Sequence, residues 1–251
     1  MLSHGEQQIS INLIKKSFEL PAGKKGSYRV AQWDDYTHLR RNQFSHRTPL
    51  TLTLQARVNG NSLPGTWGFG FWNDPFALGI GVKGPGLRLP ALPEAVWFFY
   101  GSPKNDLSFR SEESKNGLLA SVFTSASIPS ILLPLWLPAL PLLACKPTAW
   151  WLRRLASRFI HEDSFRLDVD VTRWHTYKLE WLRDLVRFYV DDVLVFTSTL
   201  SPKPLLGLVI WIDNQYAAFS ADGTVRFGTE ENTGDSCMEI KDLLLDRITL
   251  P

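Results

Sequence analysis

Few residues of this chain are typed and spaced for chemistry. In FRLDVDV (165–171), Asp168 and Asp170 stand two apart. On an extended strand that spacing puts both carboxylates on one face, about 7 Å from each other. Glu180 follows one candidate strand later, in WHTYKLEWL (174–182). Facing carboxyls suit acid–base work when one of them is held protonated. The same spacing is also the ordinary pattern of a solvated strand face or of an acidic loop entering the next strand, and we read it so. His175 stands alone between Trp174 and Thr176, with no Ser or Cys nucleophile motif beside it. A structural histidine is the first reading, and a ligand contact the second. Glu94 opens the apolar run EAVWFFYG (94–101), while Glu112 and Glu113 lie in a polar, loop-like stretch. No His-x-x-x-His, Cys-x-x-Cys or EF-hand spacing occurs, so no metal is expected. Gly79, Gly81, Gly84 and Gly86 do not make a phosphate-cradling fingerprint, and no cofactor is expected.

The elements that would position these groups read as strands. PLTLTLQARV (49–58) alternates Leu50, Leu52, Leu54, Ala56 and Val58 with polar or small residues. GTWGFGFWND (65–74) puts Trp67, Phe69 and Phe71 on one face, and Gly68 and Gly70 leave the other face low, open to a ligand or a packed backbone. EAVWFFYG and NGLLASVFTS (116–125) have strand length. In 174–182, Trp174, Thr176, Lys178 and Glu180 share one face, and His175, Tyr177, Leu179 and Trp181 the other. VRFYV (186–190) and VLVFTS (193–198) flank an Asp-Asp turn, and Asp tolerates positive φ. PLLGLVIWI (204–212), a hairpin around Asp222-Gly223 and CMEIKDLLLDRITL (237–250) complete the set. Many short strands with Gly and Pro turns predict an all-β jelly-roll sandwich of two antiparallel sheets. We expect one domain over 1–251, with an insertion at about 127–160.

The stretch WHTYKLEWLRDLVRFYVDDVLVFTS, then PKPLLGLVIWIDN, then MEIKDLLL, resembles glycoside hydrolase family 16, the laminarinase-like group of the concanavalin A-like lectin/glucanase superfamily. QARVNGNSLPGTWGFGFWND resembles the family's Arg-containing strand leading through Pro-Gly to a Trp-rich one. The matches span roughly residues 50 to 245. The resemblance implies a catalytic strand of the form Glu-x-Asp-x-x-Glu, whose best counterpart here is EAVWFF (94–99). Glu94 then stands at the nucleophile position, Val96 replaces the helper Asp, and Phe99 replaces the acid/base Glu. Retaining hydrolysis needs two carboxyls about 5 Å apart, so this degenerate motif argues against the family's own mechanism.

Net charge is +2, too near balance to predict a nucleic-acid partner. The opening MLSHGEQQISINLIKK lacks the apolar run and cleavage site of a secretory signal. Cys145 and Cys237 are expected as two thiols of a reducing, cytoplasmic compartment, with pairing left open. Residues 131–158 differ from the rest. No charged residue occurs from Asn116 to Cys145, and then come Lys146, Arg153, Arg154 and Arg158 without an acid. Pro129, Pro134, Pro138 and Pro141 argue against a spanning helix. After Pro147, the spacing of Trp151, Leu155 and Phe159 predicts a basic amphipathic helix.

The resulting expectation is a non-catalytic binding protein taking a glycan or an apolar small molecule on its concave face. Trp67, Trp72, Trp97, Phe99 and His175 are its candidate contacts, and Glu94 is the one matched catalytic carboxylate. AVWFFY offers few polar partners for a sugar, which tilts the reading toward an apolar cleft. Trp136, Trp150, Trp151, Leu155, Arg153 and Arg154 are candidates for contact with a membrane surface or a second copy, or for packing on the domain itself. A hydrolase with a different carboxylate set is the alternative.

Overall fold

The computed structural model describes residues 9–13, 15–75, 88–106, 116–126, 146–219 and 224–247. Two antiparallel sheets face each other across one apolar core. The seven-stranded sheet runs β1 (Ile9–Leu13), β15 (Ser236–Asp246), β4 (Leu50–Val58), β9 (His175–Trp181), β10 (Val186–Val190), β11 (Val193–Ser198), with β2 (Lys16–Leu20) also on β15. The six-stranded sheet runs β3 (Val30–Asp34), β12 (Gly207–Asp213), β5 (Thr66–Trp72), β6 (Ala95–Gly101), β7 (Gly117–Ser125), β8 (Ile160–Arg166). β13 (Gln215–Phe219) and β14 (Val225–Thr229) form a separate hairpin, whose tip around Asp222-Gly223 lies outside the described residues. This is the jelly-roll sandwich that the strand pattern predicts.

Alternation decides which side chains enter the core. β4 buries Leu50, Leu52, Leu54, Ala56 and Val58, and β9 buries Tyr177, Leu179 and Trp181. From the opposite sheet come Trp67, Phe69 and Phe71 on β5, and Val96, Phe98 and Tyr100 on β6. The Phe98 ring meets Tyr177 at 5.0 Å and Phe188 at 5.2 Å, both edge to face. Such pairs add about 1 kcal/mol each beyond the area they bury.

The Asp-Asp turn works as its residue type allows. Asp191 and Asp192 have φ of 49° and 64°, the mirror-image turn whose twist suits a hairpin. Asp191 also accepts hydrogen bonds from Thr176 N–H (2.8 Å) and pairs with His175 Nδ1 (2.6 Å), while His175 Nε2 lies 3.1 Å from the Asp170 carbonyl. Both ring nitrogens of His175 are therefore engaged, Nδ1 with this turn and Nε2 with the loop before its strand, on the seven-stranded sheet.

Two strand readings change. β8 ends at Arg166, so Asp168 and Asp170 lie in a loop and share no strand face. Asp170 instead accepts from Thr172 N–H (3.1 Å) and Oγ1 (2.6 Å), a local turn that competes with strand pairing. The sequence reading also passed over β2, β3 and β8, which are short or polar.

Between β7 and β8 the chain leaves the sheet and returns to it, for Ser125 pairs with Ile160. In between lies α1 (Lys146–Phe159). Pro147 is tolerated in its first turn, and Arg158 in its last turn suits the negative end of the helix dipole. Trp136 and Cys145 lie outside the described residues. Cys237 is a free thiol, 3.1 Å from Ser17 Oγ.

Candidate functional site

The outer face of the six-stranded sheet is built from every second residue of its strands. β6 presents Trp97 and Phe99 there, because Val96, Phe98 and Tyr100 point into the core. β5 contributes Gly68, Gly70 and Trp72, and β12 contributes Val209 and Trp211. β7 adds Leu119, Ser121 and Phe123, in register with Phe99, Trp97 and Ala95. β8 adds Glu162 and Ser164, opposite Phe123 and Ser121.

Trp97 is the hub of an aromatic cluster on this face. Its ring centroid lies 5.3 Å from Trp211, 5.6 Å from Phe99, 5.8 Å from Trp72 and 6.3 Å from Phe123. Gly68 and Gly70 make the cluster possible. A Cβ at Gly68 would stand 2.7 Å from the Trp211 ring, and one at Gly70 2.5 Å from Trp97 Cβ. The low face read from these glycines is thus roofed by the chain's own indoles.

The two halves of the face differ. Over β12 and β5 lies the segment after β3, where Tyr36 and Phe44 pack against Val209, Trp211 and Phe99. Tyr36 accepts a hydrogen bond from Trp72 Nε1 (2.5 Å), and Gly207 leaves room for its ring. Arg88 clamps the segment. It donates to the carbonyls of Tyr36 (2.7 Å), Thr37 (2.9 Å) and Leu39 (2.8 Å) and pairs with Asp74. Over β6, β7 and β8 there is instead a small cavity of about 30 Å³, lined by Trp97, Phe99, Leu119, Ser121, Phe123, Glu162 and Ser164. It is large enough for a water or a hydroxyl group.

Two buried polar atoms near this half have no hydrogen-bond partner among the described residues: Trp97 Nε1 and Glu94 Oε2. Orphaned buried groups are rare and call for a partner. Glu94 stands just before β6, where its Oε1 accepts the Ser125 N–H (2.8 Å). Burial pushes its carboxyl up to about 7, and the Ser125 bond opposes that only in part. At the far end of the face, Asp213 Oδ1 accepts from Thr66 Oγ1 (2.8 Å), which itself accepts the Trp211 indole N–H (3.0 Å). Burial raises Asp213 to about 6. Among the described residues, no group of three His, Cys, Asp or Glu side chains is placed to hold a metal ion.

The structure brings together Trp72, Trp97 and Phe99 of the expected contacts, and not Trp67 or His175. Trp67 is 2% exposed and faces the core, stacked on Tyr100 at 5.3 Å, because it is out of phase with Trp72. His175 is on the other sheet. Glu94, Val96 and Phe99 do not line one face either, since Val96 is a core residue. Trp211, Ser121, Glu162 and Ser164 escaped the sequence reading. Trp211 lies in GLVIWI, an apolar run buried on both faces that gives no sign of which residues face outward, and the three polar residues sit in stretches with no motif.

No family model matches the sequence, and no curated protein does. Solved structures do resemble it. One comes from work on endo-acting O-glycanases that members of the human gut microbiota express to initiate mucin breakdown. It matches with a TM-score of 0.50 at 12% identity, over 93% of this chain and 79% of that one. A transglycosylase in complex with NAG matches at 0.44 and 12%, over 93% and 72%. The catalytic domain of an endo-1,3-beta-glucanase from Thermotoga petrophila matches at 0.39 and 11%, over 92% and 77%. At such identities the likeness concerns the backbone alone: this chain has an all-β jelly-roll sandwich fold.

Proposed function

We propose that the chain is a non-catalytic binding protein of the lectin/glucanase fold, which takes a glycan on the outer face of its six-stranded sheet. The observation that carries this is the setting of Trp97. Its half-buried ring lies among other aromatics, its indole N–H lacks an acceptor among the described residues, and Ser121, Ser164 and Glu162 border the cavity beside it. A sugar offers an apolar ring face for stacking and hydroxyls for such polar groups. The strand AVWFFY alone favoured an apolar ligand. The polar residues that β7 and β8 set next to it favour a glycan. We read Trp97 as the stacking ring, Trp72 and Phe99 as its supports, and the cavity as the seat of one sugar hydroxyl. The resemblance to glycoside hydrolase family 16 and the fold likeness are consistent with this ligand class.

The test is a titration of β-1,3- and β-1,4-gluco-oligosaccharides followed by tryptophan fluorescence, with Trp97→Ala as the control. Saturable binding lost in the variant is the expected result. A spectrum unchanged by every oligosaccharide would contradict it.

One observation favours a second reading, hydrolysis by a non-standard carboxylate pair. Glu94 is raised to about 7 and so holds a proton near neutrality, and Glu162 borders the same half of the face. Reducing-sugar release abolished separately by Glu94→Gln and Glu162→Gln would establish it. Silence in that assay, with binding intact, is the outcome the first reading requires.

A further inference from the structure

α1 turns its aromatic side chains away from the protein, with Leu152 and Leu155 half-buried. Trp151 is 56% and Trp150 42% exposed, and Phe159 is exposed too, while the one buried residue of the helix is Ala149. Trp151, Leu155 and Phe159 follow at i, i+4 and i+8, which makes an apolar row along the helix. Beside it runs a second row, Lys146, Trp150, Arg154 and Arg158, all exposed. The Arg154 guanidinium lies 5.0 Å from the Trp150 ring. The 14-residue helix contains four cations, counting Arg153, and no acid.

We propose that this face of α1 lies on an anionic lipid surface. The Trp151 row enters the boundary between headgroups and acyl chains, and Arg154 and Arg158 meet lipid phosphates. Charge complementarity selects this occupant. A second copy laid on the same face would set cations against cations with no acid on either helix to pair with them. The aromatic residues favour lipid further, since indole rings settle at the headgroup level. Among the described residues no helix is long and apolar enough to cross a membrane, so the contact is one of lying on the surface. This inference is independent of the glycan face.

The test is co-sedimentation of the full chain with phosphatidylcholine vesicles, with and without phosphatidylserine. The wild type should pellet with the phosphatidylserine vesicles and be released by salt. Arg154→Gln with Arg158→Gln should weaken that binding about thirtyfold, and Trp150→Ser with Trp151→Ser should also remove it. Unfolding temperature and elution volume report whether each variant is folded. If the tryptophan variant misfolds, the arginine variant carries the test alone. A folded wild type left in the supernatant with anionic vesicles would overturn the proposal. So would undiminished binding by the arginine variant, or a wild-type dimer that the tryptophan substitutions split.

Discussion

Trp67 and Trp97 stand on neighbouring, hydrogen-bonded strands and have opposite fates. Trp67 faces the core and stacks on Tyr100, while Trp97 faces outward among Trp72, Phe99 and Trp211. Both indole N–H groups are buried without a partner among the described residues. In the core that orphan costs stability, with neighbours too apolar to relieve it. On the outer face, the Trp97 ring lines a small cavity. The difference between the two rings is one of strand parity, since a shift of one residue moves a side chain to the other face. An aromatic residue on this sandwich therefore faces the core or the outer surface according to its phase, and its type alone does not say which.

The sharpest way to break this contrast uses adjacent residues. Phe98→Ala, in the core, should cost about 3–5 kcal/mol of stability in urea unfolding. Phe99→Ala should also cost stability, since Phe99 is buried within the outer cluster, but it alone of the two should impair glycan binding. Glycan binding unchanged in Phe99→Ala would mean that the outer cluster is simply a second core.

Gly70 links the two faces. Its φ is +150°, and a Cβ there would meet the Val96 carbonyl oxygen at 2.4 Å as well as Trp97. Gly70→Ala should lower stability by about 1–3 kcal/mol and, by pushing the Trp97 indole, should shift the emission maximum of the native state. A variant as stable as wild type would show that the strand yields freely.

A smaller effect separates Glu94 from an ordinary surface carboxylate. Its folded value, about 7, is above its unfolded 4.5, so folding takes up a proton. The stability it contributes is complete below about pH 4.5 and is lost as pH rises through 7. The loss should be on the order of 2 kcal/mol, read from urea midpoints across that window. Glu94→Gln should flatten the upper part of the curve, and the residual slope below about pH 6 should belong to Asp213. The smallest change is expected on α1, where Trp151→Ser should alter stability by no more than about 0.5 kcal/mol, since its ring packs on little of the domain.

The fold was legible because period-2 alternation in 49–58 and 174–182 states which residues enter the core, and the apolar run of 204–212 has strand length. Turn chemistry helped as well, with Asp191 and Asp192 adopting the positive φ that their type permits. The candidate site was only half legible. EAVWFF locates the strand that carries Trp97, but the register of β7 and β8 against it is a long-range property, and only that register brings Ser121, Ser164 and Glu162 to its side. Trp67 misled for a related reason. β5 carries one tryptophan on each face, and Trp67 and Trp72 differ in phase, which a count of aromatics does not register. His175 was ambiguous because its partners, Asp191 and the Asp170 carbonyl, belong to a turn and a loop on either side of its strand.

The central claim is that Trp97, at the centre of the outer face, contacts a glycan and that the chain does not cleave it. The most direct measurement is a calorimetric titration of laminari-oligosaccharides into wild type, Trp97→Ala and Trp67→Phe, with reducing ends assayed on the same samples. The account predicts saturable binding by wild type and by Trp67→Phe, a loss of about thirtyfold or more in Trp97→Ala, and no new reducing ends. Binding undiminished in Trp97→Ala, or reducing ends that accumulate with wild type and vanish with Glu94→Gln, would contradict it.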